Sequence, residues 1–391
     1  MEAILRALSM AFAMGWEILW PLILGFALSA VVQAVVSHRE MARLLPDDRP
    51  RSIGTALALG AASSSCSYAA VALARALFRK GANFTAAMAF EMASTNLVAE
   101  LSIIMLAFLG WQLTLAEFVG APIMVALLVL LFRRFLTREL LEEAKAQADR
   151  GIAGRMEGHA EMDMSVSEGG TLWQRITSEE GFTAISHYFV MDWASVWPDI
   201  AGGLLIAGAL AAWVPAEFWQ SFFLVDHPLV AKLWGPIVGP LVAVISFVCS
   251  VGNIPLAAVL WNGGISFGGV IAFIFADLIV LPVLNIYRKY YGLKMAGFLF
   301  VTFYAAMAGA ALIVELVFGT LGLVPAERNA RVVDATITWD YTSWLNIAFL
   351  VLAAALVWRF FTTGGLAMLR MMNKPAVMDH AHKNIAHSGR S

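Results

Sequence analysis

Charged residues are scarce. They fill 14% of 391 positions, where a soluble domain carries about 25%. Hydrophobic residues make up 60%, more apolar surface than one soluble core can hide, which points to an all-α polytopic membrane protein. Cysteine is nearly absent: only Cys66 and Cys249 occur, both inside apolar segments, and they make no disulfide framework. A charge excess is missing too. The net charge is -2, and no basic patch interleaved with aromatics appears, so nothing speaks for nucleic acid. No P-loop, dinucleotide fingerprint or nucleophile–base set is visible, which excludes ATP-driven work by this chain alone and gives no sign of an enzyme or a cofactor. Met1 to Trp20 lacks a signal-peptide cleavage pattern and reads as an amphipathic lead-in to the first span.

What is present is a duplication. Cys249 to Leu260 reads CSVGNIPLAAVL and runs into an apolar segment carrying Asp277. The same pattern lies 183 positions earlier. Cys66-Ser67 falls on Cys249-Ser250, Leu73-Ala74 on Leu256-Ala257, Gly81 on Gly264 and Phe84 on Phe267. Ten of the 32 positions from Cys66 to Leu97 are identical in the copy. Shared apolar bias would give fewer, so the chain is read as two repeats.

About 20 apolar residues cross a bilayer as helix. The candidate segments are 16–37, 53–78, 84–108, 113–132, 196–215, 233–260, 266–286, 295–318 and 342–361. The two with cysteines are interrupted by Ser63 to Ser67 and by Ser250, Gly252, Asn253 and Pro255, residues that helices tolerate poorly. If both are re-entrant hairpins, 21 of the 26 Lys and Arg share one face, 4 lie on the other and Arg75 lies within a hairpin. If every segment crosses, that bias disappears, so the positive-inside rule selects the hairpins. The expectation is two inverted repeats, each with three crossings plus a re-entrant or broken helix hairpin, and one extra C-terminal span. In domain terms, 1–136 is the first membrane repeat, 137–194 a cytoplasmic linker and 195–318 the second repeat. An external loop and last span occupy 319–362, and a cytoplasmic tail 363–391. Arg138 to Arg150 reads as a surface helix. The implied location is a bacterial-type inner membrane, with the N-terminus outside and the C-terminus in the cytoplasm. The expected partners are the lipid bilayer and a small-molecule or ion substrate; self-association is left open.

Thiolates are soft ligands, suited to Cu(I), mercury and trivalent arsenic. Cys66 and Cys249, facing each other across a pseudo-twofold axis, could hold such a species; equally, a buried cysteine is a small apolar residue. Ser65, Ser67, Ser250 and Asn253 offer hydroxyls and an amide at the hairpin tips, for an anion or simply for close packing. Carboxylates at membrane depth are costly and normally serve an ion or proton path. Asp277, Glu91, Ser94, Thr95 and Glu100 are the candidates for that path, with a structural carboxylate as the plainer alternative. Arg75 is expected to snorkel toward the interface. Met156, His159, Met162 and Met164 in the linker, and His380, His382 and His387 in the tail, lack the spacing of a closed zinc site.

The Cys-Ser-x-Gly-x-x-Pro-Leu-Ala pattern at Cys249 to Ala257, its degenerate copy at Cys66 to Ala74 and the following Gly-x-x-Phe resemble the ArsP-like, YraQ-type permeases. The resemblance covers roughly 16–136 and 195–318. It implies efflux of trivalent organoarsenicals, with Cys66 and Cys249 touching substrate. The resulting expectation is a secondary-active permease exporting a soft metal(loid) or organometalloid species by proton-coupled alternating access. The alternatives are a permease for a small anion or metabolite, or a membrane redox or assembly subunit using the two cysteines.

Overall fold

A computed structural model describes residues 2–35, 42–63, 67–149, 166, 171–246, 250–330 and 341–372. Every regular element among them is helical. The first half contains α1 (Glu2–Val35), α2 (Pro50–Ser63), α3 (Ser67–Arg79), α4 (Phe84–Asn96), α5 (Ala99–Phe108) and α6 (Trp111–Phe135). Two linker helices follow, α7 (Arg138–Asp149) and α8 (Leu172–Thr177). The second half contains α9 (Glu179–Trp213), α10 (Ala216–Phe222), α11 (Pro228–Ser246), α12 (Ser250–Asn262), α13 (Phe267–Phe275) with a 3-10 turn (Ala276–Leu278), α14 (Leu281–Tyr291) and α15 (Leu293–Thr320). The chain closes with α16 (Tyr341–Thr362) and α17 (Gly365–Met372).

Among the described residues, three helices are long and apolar enough to cross a membrane: Trp111–Phe135, Leu293–Thr320 and Thr342–Thr362. Two bent pairs, Phe84–Asn96 with Ala99–Phe108 and Phe267–Leu278 with Leu281–Tyr291, raise the number to five if each is one span. Both pairs bend by 41°. The crossing expected at 84–108 is therefore broken at Leu97-Val98, and that at 266–286 at Ile279-Val280. Leu97 (φ -105°, ψ 33°) and Ile279 (φ -119°, ψ 13°) leave the helix alike, and Val98 and Val280 are both extended. Only the second break has a proline, Pro282, in the following first turn. Repeat comparison of side chains misses the first break because backbone, not composition, makes it.

The local devices recur in both halves. Gly81 (φ 105°) and Gly264 (φ 109°) turn the chain through the left-handed region that favours glycine. Asn83 and Ser266 then cap α4 and α13, their side-chain oxygens accepting the N–H of Ala86 and Gly269. Helix α3 runs back along α4 across the first turn, while α2 runs parallel to α4. The N–H of Asn83 donates to Leu45 at 2.8 Å, and Gly60 lies against Phe90, Ala93 and Ser94. Helices α2 and α3 are thus antiparallel. In the second half Gly235 lies on Ser266 and Gly269, and Gly239 on Gly269 and Phe273. Helix α11 is therefore parallel to α13 and antiparallel to α12. The contacts are close because small residues line them; backbones approach within van der Waals range only without large side chains.

Equivalent helices of the two halves pair with each other, and each pair is antiparallel. In α1 and α9, Ala7 and Ala11 lie at Gly208, Gly15 at Leu204 and Gln33 at Asp192. In α6 and α15, Gly120 lies at Val314, Leu127 at Gly309 and Phe132 at Phe298 and Phe303. Two further cross-contacts are reciprocal: α5 packs on α12, and α14 on α3. Helix α16 is seated on α1 by Asn346. Its side-chain amide donates to the carbonyl of Trp16 (2.7 Å) and accepts the N–H of Trp20 (2.9 Å).

Candidate functional site

The two halves meet in a buried polar string. Ser67 opens α3, immediately after the position of Cys66, and its Oγ donates to Asp277 Oδ2 at 2.7 Å. Asp277 lies in the 3-10 turn that ends α13, just before the Ile279-Val280 break, and is fully buried. One segment of each half is thus tied across the interface by a carboxylate. Such a bond to a charged group is worth about 1.5–3 kcal/mol. Asp277 is within electrostatic reach of Glu91 on α4, Glu117 on α6 and Tyr287 on α14.

Glu91 is fully buried, and its Oε1 accepts a short hydrogen bond from the Tyr287 hydroxyl. Tyr291, one turn on, feels Glu91, Tyr290 and Arg75. Arg75 ends the string: its guanidinium lies 4.4 Å from the Tyr290 ring centroid and Nη2 donates to the carbonyl of Ala148 on α7 at 2.9 Å. Instead of snorkelling to open solvent, Arg75 is buried beneath the linker helix. Glu117, Asp277, Glu91 and Tyr287 are thus coupled electrostatically, and Arg75 lies beyond them against Tyr290. An isolated charge in such surroundings is expensive, and only pairing, hydrogen bonding or a proton makes it tolerable.

The other sequence candidates are placed as follows. Ser94 and Thr95 are buried near the end of α4, and their hydroxyls donate to their own helix, at Glu91 (2.8 Å) and Met92 (3.3 Å). Asn96 does likewise through Nδ2 to Met92 at 3.0 Å. These bonds serve carbonyls of the last helical turn ahead of the break. Glu100 lies in the first turn of α5 and packs against Gly25 of α1, where a Cβ would come within 2.8 Å of its carboxylate carbon. A helix N-terminus favours negative charge. Asn253 is fully buried on α12, and neither atom of its amide has a hydrogen-bond partner. Ser250 opens α12; its side chain, with Ser65, Cys66 and Cys249 as whole residues, lies outside the described residues. The Met/His groups of linker and tail lie outside them as well. Among the described residues, no group of three or more His, Cys, Asp or Glu is arranged to hold a metal.

Sequence reasoning passed over Glu117, Tyr287 and Tyr291. Glu117 is a single carboxylate in the apolar segment 113–132, the same signal that marks Glu91 and Asp277. The tyrosines are hidden in YRKYY, which reads as a basic interfacial end.

Buried carboxylates and tyrosines shared between paired halves of a helical bundle define the class: a multi-pass membrane transporter. The chain belongs to the ArsP_1 family, described as a predicted permease, whose model matches residues 3–316. It is 62% identical over 348 residues to the Mycobacterium tuberculosis (strain ATCC 25618 / H37Rv) protein named "Putative permease Rv2963", covering 89% of this chain and 86% of that one. No solved structure matches the chain.

Proposed function

We propose that the protein is a secondary-active permease that exports a soft metal(loid) or organometalloid species, of the trivalent organoarsenical kind, by proton-coupled alternating access. The observation that carries this reading is the Ser67–Asp277 hydrogen bond. It ties the residue beside one cysteine to a buried carboxylate of the other half, so a thiol site and a proton site would be mechanically linked. Antiparallel pairing of equivalent helices supports an inverted-repeat topology, with seven crossings and two re-entrant hairpins, in an inner membrane. In this scheme Cys66 and Cys249 contact substrate, and Asp277 and Glu91 carry the proton. Ser94, Thr95 and Glu100 line the path, and Ser65, Ser67, Ser250 and Asn253 shape the tips.

The test is uptake of trivalent methylarsenical by inside-out proteoliposomes under an imposed proton gradient. Wild type accumulates it, Cys66→Ser/Cys249→Ser loses accumulation, and Asp277→Asn loses the response to the gradient. Normal accumulation by the double serine variant would refute the thiol site. A second reading is favoured by the unpartnered Asn253 amide: a small oxyanion bound at the hairpin tips. Saturable arsenate or phosphate flux abolished by Asn253→Ala, with no methylarsenical flux, would select it.

A further inference from the structure

Glu117 is a buried carboxylate that the proposed scheme does not use. It lies on the spanning helix α6, is 2% exposed, and neither carboxylate oxygen has a hydrogen-bond partner. One turn further on, Gly120 admits the ring of Phe275 from α13, two residues ahead of Asp277. The elements packed on α6 carry Glu91 (α4), Glu100 (α5) and Glu315 and Lys294 (α15), Asp277 follows directly on the packed α13, and Glu143 and Lys145 lie on the α7 that follows α6. Of these, Asp277 is the one whose charge bears on Glu117. Glu315 is engaged elsewhere, accepting the N–H of Gly268 at 2.5 Å. Because α6 and α15 are antiparallel, Lys294 lies at the far end with Arg133 and Arg134. Among the described residues no cation is placed to balance Glu117, and a carboxylate without hydrogen bonds is costly in a membrane interior.

From this geometry we infer that Glu117 is a second proton carrier, protonated in this conformation, that exchanges its proton with the Asp277 carboxylate. The step is a proton transfer between two carboxyl groups: Glu117 loses the proton that Asp277 gains, with no other bond changed. This places the entry of the proton path at the Trp111 end of α6, with Asp277, Glu91 and Tyr287 beyond it. The inference rests on the proton-coupled reading given above but not on its substrate.

Infrared spectroscopy of the full-length protein in lipid bilayers, in deuterated buffer across a pH series, reads the carboxylic-acid C=O stretch directly. Wild type shows the band at neutral pH. Glu117→Gln loses Glu117's share of it, Glu117→Asp retains a band at a shifted frequency, and Asp277→Asn changes the pH at which the Glu117 band disappears. An unchanged thermal midpoint for Glu117→Gln in detergent establishes that the variant is folded. A neutral-pH band unaffected by Glu117→Gln, or a Glu117 band whose titration ignores Asp277→Asn, overturns the inference. Methylarsenical flux in the same vesicles separates the two claims: absence of wild-type flux sinks the substrate assignment and leaves the infrared result to decide Glu117.

Discussion

Two glycines on α2 show how finely the hairpin is fitted. A Cβ at Gly60 would come within 2.5 Å of the Phe90 carbonyl and 2.8 Å of Ala93, whereas one at Gly54 meets nothing within 4 Å. Gly60→Ala should therefore lower stability by about 1–3 kcal/mol through overpacking, and Gly54→Ala should leave it unchanged or raise it slightly, as helix propensity favours alanine. Thermal unfolding in detergent compares them; equal midpoints would mean that α2 does not seat on α4 as described. At Glu91 the deciding partner is a single hydroxyl. Tyr287→Phe leaves a buried carboxylate with one hydrogen bond fewer, at a cost of about 1–3 kcal/mol. Residue type alone reveals Glu91 and Asp277 in the sequence, since carboxylates stand out in apolar runs. Tyr287 does not stand out, and Ser67, a candidate at the hairpin tip, becomes the partner of Asp277 only when segments about 200 positions apart are brought together.

The linker helix α7 is more than a surface helix. Its Lys145 donates to the carbonyls of Phe78 (2.8 Å) and Arg79 (3.1 Å) at the end of α3, and its Gln147 to that of Lys289 (3.1 Å) on α14. Its Glu143 pairs with Lys294 at 2.9 Å. One amphipathic helix thus straps the ends of both halves together. Lys145→Ala should speed amide hydrogen exchange in α7 and the end of α3, while Glu143→Gln, at an exposed pair worth about 0–1 kcal/mol, should change little. The Arg138–Arg150 pattern makes the helix legible in the sequence; what it binds is not, because its partners are backbone carbonyls that no side-chain pattern encodes. A pH-sensitive contact lies at the start of α9. His187 Nε2 meets Thr363 Oγ1 at 2.7 Å, and that hydroxyl also lies 2.7 Å from the Arg359 carbonyl. Burial, with Arg359 nearby, holds the His187 pKa below its ordinary value. The unfolded chain then binds the proton more readily, so this contact stabilises above about pH 6.5 and weakens as pH falls below it. His187→Gln should flatten the pH dependence of the thermal midpoint between pH 7 and 5; an identical slope would refute it.

At the scale of the whole molecule, the proposed topology sorts its loops by side. Single cysteines at Lys80, Arg138 and Lys289 should all react with an impermeant maleimide from one face of the membrane, and cysteines at Asp226 and Glu327 from the other. Labelling of Arg138 and Lys289 from opposite faces would sink the hairpin assignment. The duplication was legible because Cys, Gly and Phe recur at a fixed 183-residue offset, and those residues mark turns and tight packing. The breaks at Leu97-Val98 and Ile279-Val280 were not, since both dipeptides are ordinary apolar residues whose unwinding is imposed by the segments around them. The duplication also stops at the chemistry. The counterpart of Glu91 is Ile274, and that of Asp277 is Ser94, so a doubled scaffold carries an undoubled set of acids. In a rocking carrier the inward- and outward-facing forms would then be unlike in energy even where their backbones mirror one another. Such a machine has a resting side, and the lone acids, rather than the mirrored frame, choose it.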